Sequence, residues 1–374
     1  MSATQERPVT LFLCGDVMTG RGIDQILPHP SRPQLFEPYM RSALGYVKLA
    51  EEASGPLPRA VDFSYIWGDA LQELERARPD ARIVNLETAV TSCDDAWPLK
   101  GIHYRMHPAN AACLAAARID CCVLANNHAL DWGWRGLEET LDTLRATGVR
   151  TAGAGRDAAE AAAPAVIEIA EDRRALVFAF GMESSGVPSD WEATRHRPGL
   201  RLLPDLSPGT AETIVAEAAA VRRAGDVVVV SIHWGGNWGY EVSPAEREFA
   251  RRLVDAGAAD VVHGHSSHHP RAIEIHRDRP ILYGCGDFLN DYEGISGHES
   301  FRPTLALMYF ATLDATTGRL ARLWLVPTRI GRFRVNRAND EEAGWLARTL
   351  GRECLRLGAR VERETPDRLV VSRF

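Results

Sequence analysis

The 374-residue sequence offers no membrane-length apolar run, no C-x-x-C pair and no block of lysine and arginine. The first apolar run, in "MSATQERPVTLFLCGD", is too short for a signal segment or a span. The chain is therefore expected to work in the cytoplasm with no membrane partner. The seven cysteines (14, 93, 113, 121, 122, 285, 354) are odd in number and fall mostly in apolar stretches. That pattern implies reduced, buried thiols and excludes a disulfide framework or a cysteine zinc site. The formal charge of −7 gives no general attraction to nucleic acid, so partners must be recognised locally.

What the chain does have is short runs of Val, Ile and Leu at 9–14, 82–86, 121–125, 226–232, 260–263 and 281–284, which read as buried strands. Amphipathic helical patterns at 135–147 and 244–256 stop at Gly148 and Gly257, the second opening on Ser-Pro. Strand and helix alternate, which makes a layered α/β sheet the economical architecture. Around "DATTGR", 304–312 and 318–327 read as an antiparallel pair. The organisation expected is one domain over 1–374. Irregular insertions at about 28–66 and 183–209 read as lids or substrate-binding loops.

Polar residues of a particular kind follow the apolar runs. Asp16, Glu87, Asn126, Asn127, His128, Asp131, His233, His265, His268, Asp287 and Asn290 all sit at or just after strand ends. The carboxyl edge of an open α/β sheet is where ligands bind, so these groups should converge. Carboxylates, an amide oxygen and imidazoles without a thiolate suit Mn, Fe, Co or Zn as divalent ions. Asp16, Glu87, Asn127, His233, His265 and His268 suffice for two ions about 3.5–4 Å apart with a bridging carboxylate. His128 is the acid/base candidate, with Asp131 three residues on to orient its ring. His269 and Asp287 are further acid/base candidates. Arg21 suits an anionic substrate group, and Trp132, Trp234 and Trp238 suit the wall of a pocket.

The ordered set "GDVMTGR", "NLETAV", "NNHALDWG", "HWGGNWGYE", "HGHSSHHP" and "YGCGDFLNDY" resembles the CapA-type poly-γ-glutamate synthesis family, itself similar to calcineurin-like dinuclear metallophosphoesterases. The resemblance spans about 9–295. It implies a layered α/β sandwich with two β-sheets flanked by helices, six metal positions at the residues just given, and a catalytic role for His128. Phosphoesterases of this fold carry a histidine two residues after the first aspartate, where this chain has Met18, so one ion loses an imidazole or is served from elsewhere.

Within the family, "HGHSSHHP" and "YGCGDFLNDYEGI" resemble the lasso-peptide epimerase branch. That resemblance implies inversion of the α-carbon of a C-terminal residue in a ribosomally made precursor peptide. Two cations gripping the carboxylate would stabilise the enediolate formed when the α-proton leaves. The alternative is a dinuclear metallohydrolase, a phosphoesterase or amide hydrolase, acting in capsule or poly-γ-glutamate metabolism.

Overall fold

The structure is a computed structural model that describes residues 7–170 and 172–374. Strict alternation along Val9–Val17 (β1) sets its layers. Leu11 and Leu13 join a cluster with Ile83, Val123, Val229 and Leu307, whereas Phe12 and Cys14 join another with Val84, Leu86, Leu137 and Leu141. Successive strand side chains face opposite ways, so one strand contributes to two cores.

The first sheet runs Ala359–Thr365, Arg368–Arg373, Leu320–Ile330, Leu305–Leu313, β1, Ala81–Leu86 (β2), Cys121–Val123 (β3), Arg150–Ala152. Its β1-to-Arg150 half is parallel and its other half antiparallel. The second sheet, of six strands, runs Ile273–His276, Arg279–Leu282, Val261–His265, Val227–His233, Arg173–Gly181, Ala165–Ala170. Val227–His233 (β4) and Val261–His265 (β5) lie parallel at its middle and are buried along their whole length. Burial on both faces explains why these strands read as unbroken apolar runs.

Between the sheets lies the core of Leu11, Leu13, Val229 and Val261. Helix Gly133–Ala146 (α1) covers the outer face of the first sheet through Leu137, Leu141 and Leu144. Helix Pro244–Asp255 (α2) covers that of the second through Phe249 and Leu253, starting at a capping box between Ser243 and Glu246. The layers are helix, sheet, sheet, helix, as expected of a two-sheet α/β sandwich. The antiparallel pair around "DATTGR" is present as Leu305–Leu313 against Leu320–Ile330.

The insertions are more ordered than their composition suggests. Within 28–66 lies a twelve-residue helix, Ala43–Ser54, whose first turn is capped by Ser42 accepting from the Leu44 N–H. Within 183–209, Trp191 is fully buried and Gly199–Leu200 pairs with Ala154–Gly155.

One local feature governs the site. The pairing of β1 with β2 slips between Cys14 and Asp16, a bulge at Gly15. A side chain at Gly15 would collide with the carbonyl of Gly286. That close approach lets Asp287–Leu289 (β6) lie parallel against the end of β1, with Asp16 opposite Asp287.

Candidate metal centre

The carboxyl ends of β1, β2, β4 and β5 meet where the two sheets touch, marked by a 2.8 Å hydrogen bond between His263 Nε2 and the Cys14 carbonyl. Two groups of potential ligand atoms form there, Asp16 with His233 and His265, and Asp16 with His268 and Asp287. Asp16 belongs to both. Asn127 Oδ1 stands 3.1 Å from His233 Nε2, at the first group. Glu87 is joined to Asp16 through Asn85, whose Nδ2 donates to Asp16 Oδ1 at 2.7 Å and to Glu87 Oε2 at 3.3 Å. All six residues expected to hold metal are thus gathered in one region.

Burial favours the protonated form of the carboxyls in this cluster. Asp16 is pushed up to about 7, first by burial and then by Asp287. Glu87 is pushed well above the carboxylate range by burial, Asp16 and Asp287. Among the described residues the ion pairs of Glu87 and Asp287 run to histidines, Glu87 to His128 at 3.8 Å and Asp287 to His268 at 2.9 Å. Buried carboxylates crowded in this way either take up protons or surround a cation. On the other side, burial and then neighbouring imidazoles push His233 and His265 well below the usual histidine range, so both rings are neutral, the state that ligates metal. Oxygen and neutral nitrogen donors of this kind fit borderline divalent ions.

Met18 is fully buried, and nothing at that position replaces the absent imidazole. Asp287, opposite Asp16 in the strand pairing, supplies a carboxylate to the second group of candidate ligands. Expected as an acid/base group, it lies among the ligand candidates, its second oxygen accepting from Asn290 Nδ2 at 2.7 Å.

His128 borders the centre with Nε2 facing Glu87, while its Nδ1 lies 2.7 Å from Asp131 Oδ2. Lys100, which the sequence reading missed, holds Asp131 Oδ1 at 2.6 Å. Burial works against the charge on Asp131, yet His128 and Lys100 keep its carboxyl below the usual range. His128 itself is lowered to about 4, chiefly by burial. A neutral ring with Nδ1–H donated to an ionised Asp131 presents a basic Nε2 to the centre.

Other expected site residues lie elsewhere. His269 is fully buried, its Nε2 accepting from the Gly239 N–H and its Nδ1 facing the Pro270 carbonyl, so both nitrogens are engaged by backbone. Arg21 is buried and directs its guanidinium at Asp291 and Glu37, under the rings of Tyr46 and Tyr104. It neutralises internal carboxylates and so is not free for a substrate anion. Trp132 and Trp234 are buried with their indole N–H groups bonded to the carbonyls of Tyr104 and Tyr283, which makes them packing residues. Trp238 alone of the three is half-buried beside the centre, its ring 5.3 Å from that of His268.

Asn85 was also missed, because an asparagine inside "RIVNLE" looks like an ordinary strand residue. Its position two residues before Glu87, on the same strand face, is the signal that could have found it.

This fold and its carboxylate–imidazole cluster define a metallophosphoesterase-like α/β sandwich. The chain belongs to the family described as bacterial capsule synthesis protein PGA_cap, which matches residues 10–292. The probable polyglutamine synthesis accessory protein of Mycobacterium tuberculosis is 48% identical over 363 residues, 97% of this chain and 95% of that protein. The PGA biosynthesis protein CapA of Bacillus subtilis is 25% identical over 278 residues, 74% of this chain and 62% of its own. The capsule biosynthesis protein CapA of Bacillus anthracis is 24% identical over 288 residues, 77% and 61%. Among the described residues no helix is long and apolar enough to cross a membrane.

Proposed function

We propose that this protein is a metal-dependent amide hydrolase acting on glutamyl or glutaminyl polymers in capsule or polyglutamate metabolism. The observation that carries the reading is the buried cluster of Asp16, Glu87, Asp287 and neutral imidazoles with a single oriented acid/base group, His128, at its border. The names of the relatives, polyglutamine synthesis and PGA biosynthesis, support the substrate class.

Two divalent ions would be held by Asp16, Asn127, His233 and His265 on one side and by Asp16, His268 and Asp287 on the other, with Glu87 alongside. Such ions supply Lewis acidity that polarises an amide carbonyl and activates water. The chain's own part is to bring a proton to the departing nitrogen. His128 Nε2, unprotonated at rest, takes the proton that water releases as it adds to the carbonyl and passes it to that nitrogen, with Asp131 fixing the ring and stabilising its protonated form in between. Lys100 fixes Asp131 in turn.

Inversion of an α-carbon in a precursor peptide, or in the branch resembling lasso-peptide epimerases, needs a second proton-transfer group across the carbon. Two of the candidates for that place are occupied otherwise, His269 by backbone and Asp287 by the ligand cluster, and a third, His298, is exposed and stacked on the Trp238 ring. Hydrolysis needs only His128, which favours it here.

The test is mass spectrometry of glutamyl and glutaminyl oligomers incubated in D₂O with the protein and Mn²⁺. Shortened products support hydrolysis. One deuteron gained at an α-carbon without backbone cleavage supports inversion and overturns the proposal. His128→Ala should lower turnover by about 10²–10⁴-fold with metal content retained.

A further inference from the structure

Of the four histidines in "HGHSSHHP", His265 and His268 stand among the candidate ligands and His269 is engaged by backbone, which leaves His263 without a task. It lies on β5 directly opposite Ser231 of β4, two residues before the opposed pair His265 and His233. Residues two apart on a strand share a face, so these four side chains point the same way. Ser231 and His263 are both fully buried, out of reach of bulk water.

The hydrogen bonds along this line assign every proton in it. His263 Nε2 stands 2.8 Å from the Cys14 carbonyl, which only accepts, so Nε2 carries the hydrogen. Among the described residues no carboxylate bonds this buried ring, so it is neutral and its Nδ1 is bare. Ser231 Oγ lies 3.0 Å from that Nδ1, and its single hydrogen is donated there. The same Oγ lies 2.8 Å from His265 Nε2 and, with its hydrogen already committed, can only accept. His265 is thereby held with hydrogen on Nε2 and with Nδ1 bare. That bare nitrogen faces the first ligand group, 2.7 Å from His233 Nδ1.

We infer that Ser231 and His263 are positioning residues of the centre, a relay that starts at the Cys14 carbonyl and fixes which nitrogen of His265 is offered to a metal ion. Metal-binding histidines are commonly oriented by whatever their far nitrogen bonds. Here that partner is two side chains deep and ends in the other sheet. Cys14 stands two residues before Asp16 on β1, so the relay is anchored to the strand that carries the shared carboxylate. The inference rests on the metal-centre reading and is independent of hydrolysis, and its own claim concerns a tautomer that exists without metal.

The experiment is long-range proton–nitrogen correlation NMR of the full chain, isotope-labelled at its histidine nitrogens and stripped of metal, at neutral pH. The His265 signals are those that vanish in His265→Gln. One protonated Nε2 and one bare Nδ1 are expected. Removing the hydroxyl in Ser231→Ala, or freeing it to turn towards His265 in His263→Phe, should replace that pattern by shifts averaged between tautomers, and Mn²⁺ affinity read by calorimetry should fall about 10–100-fold. Ser231→Thr, which keeps the hydroxyl, should restore both. A protonated Nδ1 in the unaltered protein overturns the inference without any variant. So does an unchanged His265 pattern in both variants, or an unchanged Mn²⁺ affinity where the pattern is lost. The expected pattern in a protein that binds no Mn²⁺ would leave the relay standing and overturn the metal-centre reading alone.

Discussion

His265 and His268 stand three residues apart after the same strand, yet their surroundings drive them in opposite directions. His265 is packed with His233 and His263, and burial among imidazoles pushes it well below the ordinary histidine range. His268 is also buried, but Asp287 at 2.9 Å outweighs that burial and raises it. Burial alone makes an imidazole neutral, and one carboxylate at contact distance reverses the result. The two halves of the centre are therefore unlike: one is a nest of neutral nitrogens, the other a charge-assisted carboxylate–imidazole pair. Among the described residues, Asp16 alone belongs to both groups of ligand candidates.

The most damaging way to break that comparison is to remove the shared member. Asp16→Asn should cost both halves their ion, metal affinity falling by more than about 100-fold, whereas Asp287→Asn should empty only the half containing His268. Metal content per chain, measured after dialysis, reads the difference; identical losses would show that the halves are not separate. Next in size is the titration of His268 itself in metal-free protein. Asp287→Asn should move it downward, towards the behaviour of His265, as read from imidazole nitrogen shifts by NMR. An unmoved His268 would assign its raised state to another neighbour.

His263 sharpens the contrast from behind the site. Buried between Ser231 and the Cys14 carbonyl, it is lowered to about 4, mainly by burial. An unfolded chain takes up this proton near pH 6.5 and the folded one only near 4, so the folded state binds fewer protons between those values. The contribution of this group to stability is complete above pH 6.5 and is lost as pH falls towards 4, by up to about 3 kcal/mol. Because the raised carboxyls of Asp16 and Glu87 act in the opposite sense over the same range, the test is urea unfolding of the protein and of His263→Gln at pH 7, 5.5 and 4.5; the stability difference between them should shrink as pH falls, and a constant difference would contradict the sign. The smallest effect is expected far from the imidazoles. Ser243→Ala, which removes the capping box of α2, should lower stability by about 1 kcal/mol and leave metal content unchanged.

The parts of the fold visible in the sequence are those where one residue reports on its own surroundings. Val227–His233 reads as a strand because both its faces are buried, and Asp16, His233 and His265 stand out because a polar group ending an apolar run needs a reason. Pairings across long separations were not visible. Arg21 looked available until the fold brought Asp291, 270 residues away, onto its guanidinium. Lys100 is a lone cation in a loop with no pattern around it, and only tertiary contact with Asp131 gives it meaning. The helix Ala43–Ser54 was hidden in a Pro- and Ser-rich stretch because its buried face is modest, with Ala43, Tyr46, Val47 and Ala50. Asp287 was noticed but given a different task, since its place opposite Asp16 depends on a strand register rather than on spacing.

That register follows from the missing side chain at position 15. With only hydrogen there, the chain around Gly286 can settle onto β1 and bring two carboxylates face to face. Adding one methyl group at this point would act as a wedge, spreading the pair without altering a single donor atom. The tolerance of the whole centre is thus set by a residue that contributes nothing to it chemically.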